Sequence, residues 1–139
     1  MDAAASKEVV LAFFNDMANG NGADAMALLD DRATWWVSGD PRHVPIAGTY
    51  TKDTFGDLMS IVDKAMPSKL SMTVTSVTAD VDRVAIEANP QGVSPTGEKY
   101  NNSNVFIVEL RDGKITSIRE YYDTMHTSAV FFGTRYTRP

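Results

Sequence analysis

The 139-residue chain contains no cysteine. Disulfide frameworks, thiolate metal sites and cysteine nucleophiles are therefore excluded, and the redox compartment stays open. Histidine is nearly as scarce. His43 and His126 stand alone, with no second histidine at ligand spacing, whereas a metal site needs three or four convergent ligands. Lys and Arg number 13 against 18 Asp and Glu, and a net charge of −5 without a basic run excludes a general nucleic-acid binder. No window approaches the roughly 20 apolar residues of a membrane helix. The opening MDAAASKEVV has neither the charged nor the apolar region of a signal peptide. Gly-rich phosphate loops, nucleophile elbows, internal repeats and linkers are also missing. These absences leave one soluble, cytoplasmic domain over residues 1–139, with no cofactor and no metal expected.

What is present suits a globular core: 43% hydrophobic and 22% charged residues. Residues 6–18 read as an amphipathic helix, with Val9, Val10, Phe13, Phe14 and Met17 at helical spacing and Ser6 as its cap. A short helix follows at 22–29. The aromatic and β-branched run 33–38 reads as a strand, and 39–50, with two prolines and two glycines, as a loop able to cover Trp36. Residues 51–65 make a third helix, with Thr51 as cap and Pro67 beyond its end. Strands are expected at 70–78 and 83–89, a loop at 90–97, and an apolar tail at 129–132 that packs back on the sheet or on a partner.

The most informative stretch is 100–123, YNNSNVFIVELRDGKITSIREYYD. Asp112-Gly113 supplies the positive φ values of a two-residue hairpin turn, with alternating runs on both sides. Side chains two apart share a face. Asn102, Asn104, Phe106, Val108 and Leu110 therefore lie together, as do Ile118, Glu120 and Tyr122. Both strands are apolar near the turn and polar towards the far end, which predicts a polar-lined recess beside the core.

The element order is αα-β-α-ββββ. It implies an α+β fold, with a cone-shaped, curved, mostly antiparallel (mixed) sheet against three helices from the N-terminal half, enclosing a cavity. ATWWVSG, PIAGTY and GEKYNN…FIVELRDGKITSIREYYDT resemble the nuclear transport factor 2-like superfamily, and within it the SnoaL-like group related to ketosteroid isomerase, polyketide cyclase and limonene epoxide hydrolase. The resemblance spans nearly the whole chain and implies a homodimer through the outer sheet face, with Ser117, Arg119 and Tyr121 there. It does not carry over an intact mechanism. The epoxide hydrolase Arg and first Asp fall on Glu87 and Asn89, and its second Asp on Glu120. The isomerase oxyanion tyrosine falls on Phe13, its base near Val37 or Ser38, and its second donor near Val105 or Phe106.

Glu120 is the first candidate for chemistry. Half-burial between Ile118 and Tyr122 raises a carboxyl towards the range of a general base; the bland alternative is a strand-end ion pair with an arginine. Glu87 is the candidate second carboxyl if the two converge, and a solvent-facing residue if they do not. Asn89, Asn102 and Asn104 offer amides to orient a substrate oxygen, or else inter-strand hydrogen bonds. Trp36, Ser38, Tyr122, Phe13 and Met17 complete the expected lining, and His43 reaches in from the covering loop or stays solvated. Asp123 is assigned a turn or packing role. The chain therefore reads as a cofactor-independent acid–base enzyme on a small, hydrophobic, oxygenated molecule, of isomerase, cyclase, dehydratase or hydrolase type. The alternative is a non-catalytic ligand-binding or dimerisation module.

Overall fold

A computed structural model describes residues 1–137. Helix α1 (Ala3–Ala18) starts ahead of the expected position because Asp2 caps it, its carboxylate accepting from the Ala5 N–H at 2.8 Å. Ser6 is instead buried, and its hydroxyl donates to the Val81 carbonyl. Then follow α2 (Gly22–Ala27), β1 (Leu29–Val37), β2 (Gly48–Thr51) and α3 (Phe55–Ala65). The rest comprises β3 (Ser71–Ala79), β4 (Arg83–Val93), β5 (Lys99–Asn101), β6 (Asn104–Arg111), β7 (Lys114–Tyr121) and α4 (Thr124–Phe132).

The sheet order is β2-β1-β7-β6-β4-β3, with β5 also paired to β4. Among the described residues only β1 and β7 run parallel. The β6–β7 hairpin turns at Asp112 (φ 51°) and Gly113 (φ 79°), the left-handed pair that Asp-Gly favours. Two elements lie in stretches expected to be irregular: strand β2 occupies the end of the 39–50 loop, and α4 forms the tail. The first strand expected within 100–123 is split into β5 and β6 by a break at Asn102 and Ser103. Strand β4 also runs on through Pro90. It pairs with β6 as far as Ala88 and with β5 from Gln91, so Pro90 sits where neither partner needs its missing N–H.

One face of the sheet buries Trp35 and Val37 of β1, Val84, Ile86 and Ala88 of β4, Phe106, Val108 and Leu110 of β6, and Ile115 and Ile118 of β7. Val10, Phe13 and Phe14 of α1 and Phe55 and Leu58 of α3 close over it. The rings of Phe13, Phe14, Trp35, Phe55 and Phe106 interlock, with neighbouring centroids 4.8–6.5 Å apart in tilted and edge-on contacts. Such pairs add about 0.5–1.5 kcal/mol each beyond the area they bury.

A polar knot joins the far end of the sheet to α4. Asn102, 2% exposed, sits in the break between β5 and β6. Its Nδ2 lies 3.0 Å from the Tyr100 hydroxyl, the Asp123 carbonyl and Thr127 Oγ1. Its Oδ1 accepts from the backbone N–H groups of Ser103 at 2.7 Å and Asp123 at 3.0 Å. Asp123 caps α4 through its carboxylate, which accepts from His126 N–H at 3.1 Å. Further along α4 the Ser128 hydroxyl donates to the His43 carbonyl, anchoring the loop after β1. Replacing Asn102 by Ala strands buried donors and acceptors together, so Asn102→Ala is expected to lose about 2–4 kcal/mol in urea denaturation. A loss under about 0.5 kcal/mol contradicts this account of the knot.

Candidate active site

A pocket of about 540 Å³ opens between the concave sheet face and the helices. Its walls are mostly apolar: Phe14 and Met17 from α1, Val37 from β1, Leu58, Met59 and Val62 from α3, Met72 from β3, Phe106 from β6 and Phe131 from α4. Asp63 and Lys69 stand at its exposed rim and pair at 3.1 Å. Inside are Trp35, Tyr100, Asn104, Glu120 and Tyr122.

Glu120 is positioned by parity. It follows Ile118 on the concave side of β7, pairing with Phe106 of β6 and Val37 of β1. Both carboxylate oxygens are held from neighbouring strands: Trp35 Nε1–H donates to Oε1 at 3.0 Å and Asn104 Nδ2–H to Oε2 at 2.9 Å. Arg119 points the other way, to Glu109, and among the described residues Glu120 has no arginine partner. Burial disfavours its charge and outweighs the two donated bonds, pushing the carboxyl from an ordinary 4.5 up to about 7.

The tyrosine hydroxyls around it are occupied. Tyr122 donates to the Ser38 carbonyl at 2.7 Å and Tyr50 to the Ile46 carbonyl at 2.8 Å. The Tyr100 hydroxyl meets Thr127 at 2.8 Å. Burial raises the ionisation of all three above the ordinary phenol range, with Glu120 reinforcing the shift. They are neutral at physiological pH. Among the described residues no cluster of three or more His, Asp or Glu side chains is arranged to hold a metal ion.

Of the residues singled out from sequence, Glu120, Asn104, Tyr122 and Met17 line this pocket. The others require correction. Glu87 does not converge with Glu120: on β4 the buried parity is Val84, Ile86 and Ala88, which leaves Glu87 exposed on the outer face. Asn89 shares that outward parity and donates to the Asn102 carbonyl at 3.0 Å. Asn102 is buried but spent in the α4 knot. Trp36 lies on the outer face against Tyr121, ring centroids 5.3 Å apart, and Trp35 takes the inward place. The sequence held the signal for that choice, because Ala33, Trp35 and Val37 are uniformly apolar while Thr34, Trp36 and Ser38 are not. Ser38 contributes only backbone groups, its N–H donating to the Glu120 carbonyl and its carbonyl accepting from Tyr122. Phe13 is fully buried in the aromatic core, with Phe14 at the pocket instead. His43 is exposed and joins the structure through its backbone carbonyl. His126 is also outside the pocket, stacked on Tyr100 and accepting the Asn101 N–H at Nε2. Asp123, expected in a turn or packing role, lies outside the pocket and caps α4.

A curved mixed sheet wrapped by helices around an apolar pocket defines the cone-shaped nuclear transport factor 2-like class, whose solved members share this fold. More narrowly, the chain belongs to the SnoaL-like domain family, whose model matches residues 10–118. It is 32% identical over 127 residues to UPF0523 protein B of Dictyostelium discoideum, covering 84% of this chain and 74% of that one. A protein from Jannaschia sp. CCS1 named as a putative SnoaL-like polyketide cyclase superposes with a TM-score of 0.77 at 16% identity, covering 96% of this chain and 95% of that one. TerC, co-crystallised with polyporic acid, gives 0.82 at 16% identity, covering 91% and 98%.

Two measurements test the site without a substrate. Because Trp35 Nε1–H bonds to Glu120, ionisation of the carboxyl alters the field on that indole. In a Trp36→Phe background, tryptophan emission is expected to titrate with a midpoint of about 7 and to become flat over that range with Glu120→Gln added. A flat profile in the parent refutes the assignment. Stability gives the second readout. Below the ordinary pKa of 4.5, both folded and unfolded chains hold the Glu120 proton; between 4.5 and about 7 only the folded chain does. Stability therefore falls as pH rises through that window and levels off above it. Relative to wild type, Glu120→Gln should gain up to about 3 kcal/mol across the window in urea denaturation, a tenfold change in proton affinity being worth about 1.36 kcal/mol. No change in the difference contradicts a raised pKa.

Proposed function

We propose that the protein is a cofactor-independent acid–base catalyst for a small, mostly apolar, oxygenated molecule, with Glu120 as its proton carrier. The observation that carries this reading is a half-buried carboxyl on the wall of an apolar pocket, both oxygens held by neutral donors, where desolvation pushes its pKa up to about 7. Such a group holds and releases a proton with similar ease at neutral pH. SnoaL-like membership and a neighbour named as a putative polyketide cyclase support an isomerase-type role. TerC, crystallised with polyporic acid, supports an oxygenated apolar ligand.

With Glu87 on the outer face, acid and base are one group used twice rather than two groups used together. Glu120 ionised removes a proton from a carbon beside a carbonyl; the C–H bond breaks and its electron pair passes to the carbonyl oxygen as an enolate. The carboxylic acid then returns the proton at a second carbon, completing an isomerisation. Hydrolysis and epoxide opening, which use an acid and a base at once, fit this pocket less well. A second reading rests on the tyrosines: their hydroxyls are bonded to protein partners, as in a pocket that binds without turnover.

The test is incubation with a panel of hydrophobic enolisable ketones and polyketide-like lactones in deuterated buffer, with products read by mass spectrometry. Deuterium incorporation or conversion is expected, with kcat/KM rising with pH to an inflection at about 7. Glu120→Gln should lower it by about 10²–10⁴-fold. Unchanged activity in the variant removes Glu120 from the reaction. Ligand-induced rise in melting temperature without any exchange selects the binding reading.

A further inference from the structure

Beside the pocket, a groove of about 400 Å³ runs between α1 and the edge strand β3. Leu11, Ala12 and Asn15 of α1 and Val74 of β3 line the groove and not the pocket. Phe14, Ala18 and Met72 line both. Val74 lies two residues beyond Met72 on the same side of β3, yet it is 38% exposed. A β-bulge follows it, and beyond the bulge Val77 and Ala79 pack against the core. The inward side of β3 is therefore covered at one end and open at Val74.

The partition between the two spaces is thin. Ala18 contributes a single methyl group, and Met72 an unbranched thioether that is only half-buried and can swing aside. Phe14 is the fixed member, its ring packed on those of Phe13, Trp35 and Phe106 with centroids 4.8–6.5 Å apart. Among the described residues no charged side chain lines the groove, and Asn15 is its sole polar wall residue. Apolar contact is what it offers a ligand.

We propose that the groove is a second compartment of the same site and takes the unbranched alkyl chain of the ligand, with Met72 as the gate between the two. The oxygenated end stays beside Glu120, and the chain passes Phe14 and Met72 to lie against Leu11 and Val74. An unbranched chain is the matched shape, because it has the smallest cross-section an apolar ligand offers and needs only a side-chain rotation to pass. The substrate class becomes an enolisable ketone bearing a long saturated chain. The ketone end rests on the proton-carrier reading; the chain rests on the adjoining spaces and the open Val74.

Two probes, 2-nonanone and 2-pentadecanone, test it through Trp35 emission in the Trp36→Phe background. A fully buried methylene is worth about fourfold in affinity, so the longer ketone should bind at least about tenfold tighter. Ala12→Phe and Asn15→Phe each fill the groove from an exposed position of α1. Either should erase most of that gain and change 2-nonanone binding by less than about twofold. Nuclear Overhauser contacts from the terminal methyl of 2-pentadecanone should reach the methyl groups of Leu11 and Val74. A gain that survives both variants, an equal loss for both ketones, or contacts confined to Met59 and Val62 overturns the second compartment. The proton carrier still stands in each case if 2-nonanone takes up deuterium in a Glu120-dependent manner. Contacts at Leu11 and Val74 without deuterium uptake from either ketone keep the compartment and remove the proton carrier. Binding of neither ketone overturns both.

Discussion

The pocket depends on one half-buried carboxyl held by three strands. Glu120 sits on β7, its donors on β1 and β6, and each strand places its contribution on the concave face through the same alternation that builds the core. The aromatic cluster and the polar recess are therefore continuous parts of one surface. Moving any of the three strands by one residue in register sends its member of the Trp35–Glu120–Asn104 set to the outer face. Precision in the site is inherited from register, and register is enforced by the apolar residues beside it.

That inheritance explains what was legible in the sequence. The β6–β7 hairpin could be read almost residue by residue, because a turn at Asp112-Gly113 fixes the parity of both flanking strands. Glu120, Asn104 and Tyr122 followed from it. Strand β4 has no such anchor. There parity rests on a run whose two sides, Val84-Ile86-Ala88 and Ala85-Glu87-Asn89, differ mainly in how polar they become, and pairing Glu87 with Glu120 chose the wrong side. The adjacent tryptophans of β1 posed the same problem. Only the company each keeps, Ala33 and Val37 for Trp35, Thr34 and Ser38 for Trp36, distinguishes inside from outside.

Asn102 and Asn104 show what alternation alone does not reveal. Both are buried and both lie at the polar end of the hairpin, yet they serve different purposes. The break between β5 and β6 removes Asn102 from the strand ladder and turns it towards the backbone of Asp123 and the side chain of Thr127. Its amide satisfies groups that the end of one element and the start of another leave open. Asn104, one step inside the strand, faces the pocket. The tail helix α4 was invisible as a helix because its contacts, through Asn102, Tyr100 and the 39–47 loop, are all distant in sequence. Phe131 reaches the pocket only through those contacts.

The parallel pairing of β1 with β7 also bears on how the protein is made. Trp35 and Glu120 are 85 positions apart, and β7 is the last of the described strands. During synthesis, β1 can pair with β2 long before β7 leaves the ribosome. Its other edge waits, with Trp35 lacking the carboxylate it will bond. Glu120 thus enters among the last strand contacts, into a cleft already outlined by earlier elements. Closing so long a loop is entropically slow, so β1 passes through a stage with one open, aromatic edge. The strand that carries Trp35 thus waits longest in the chain for its second neighbour.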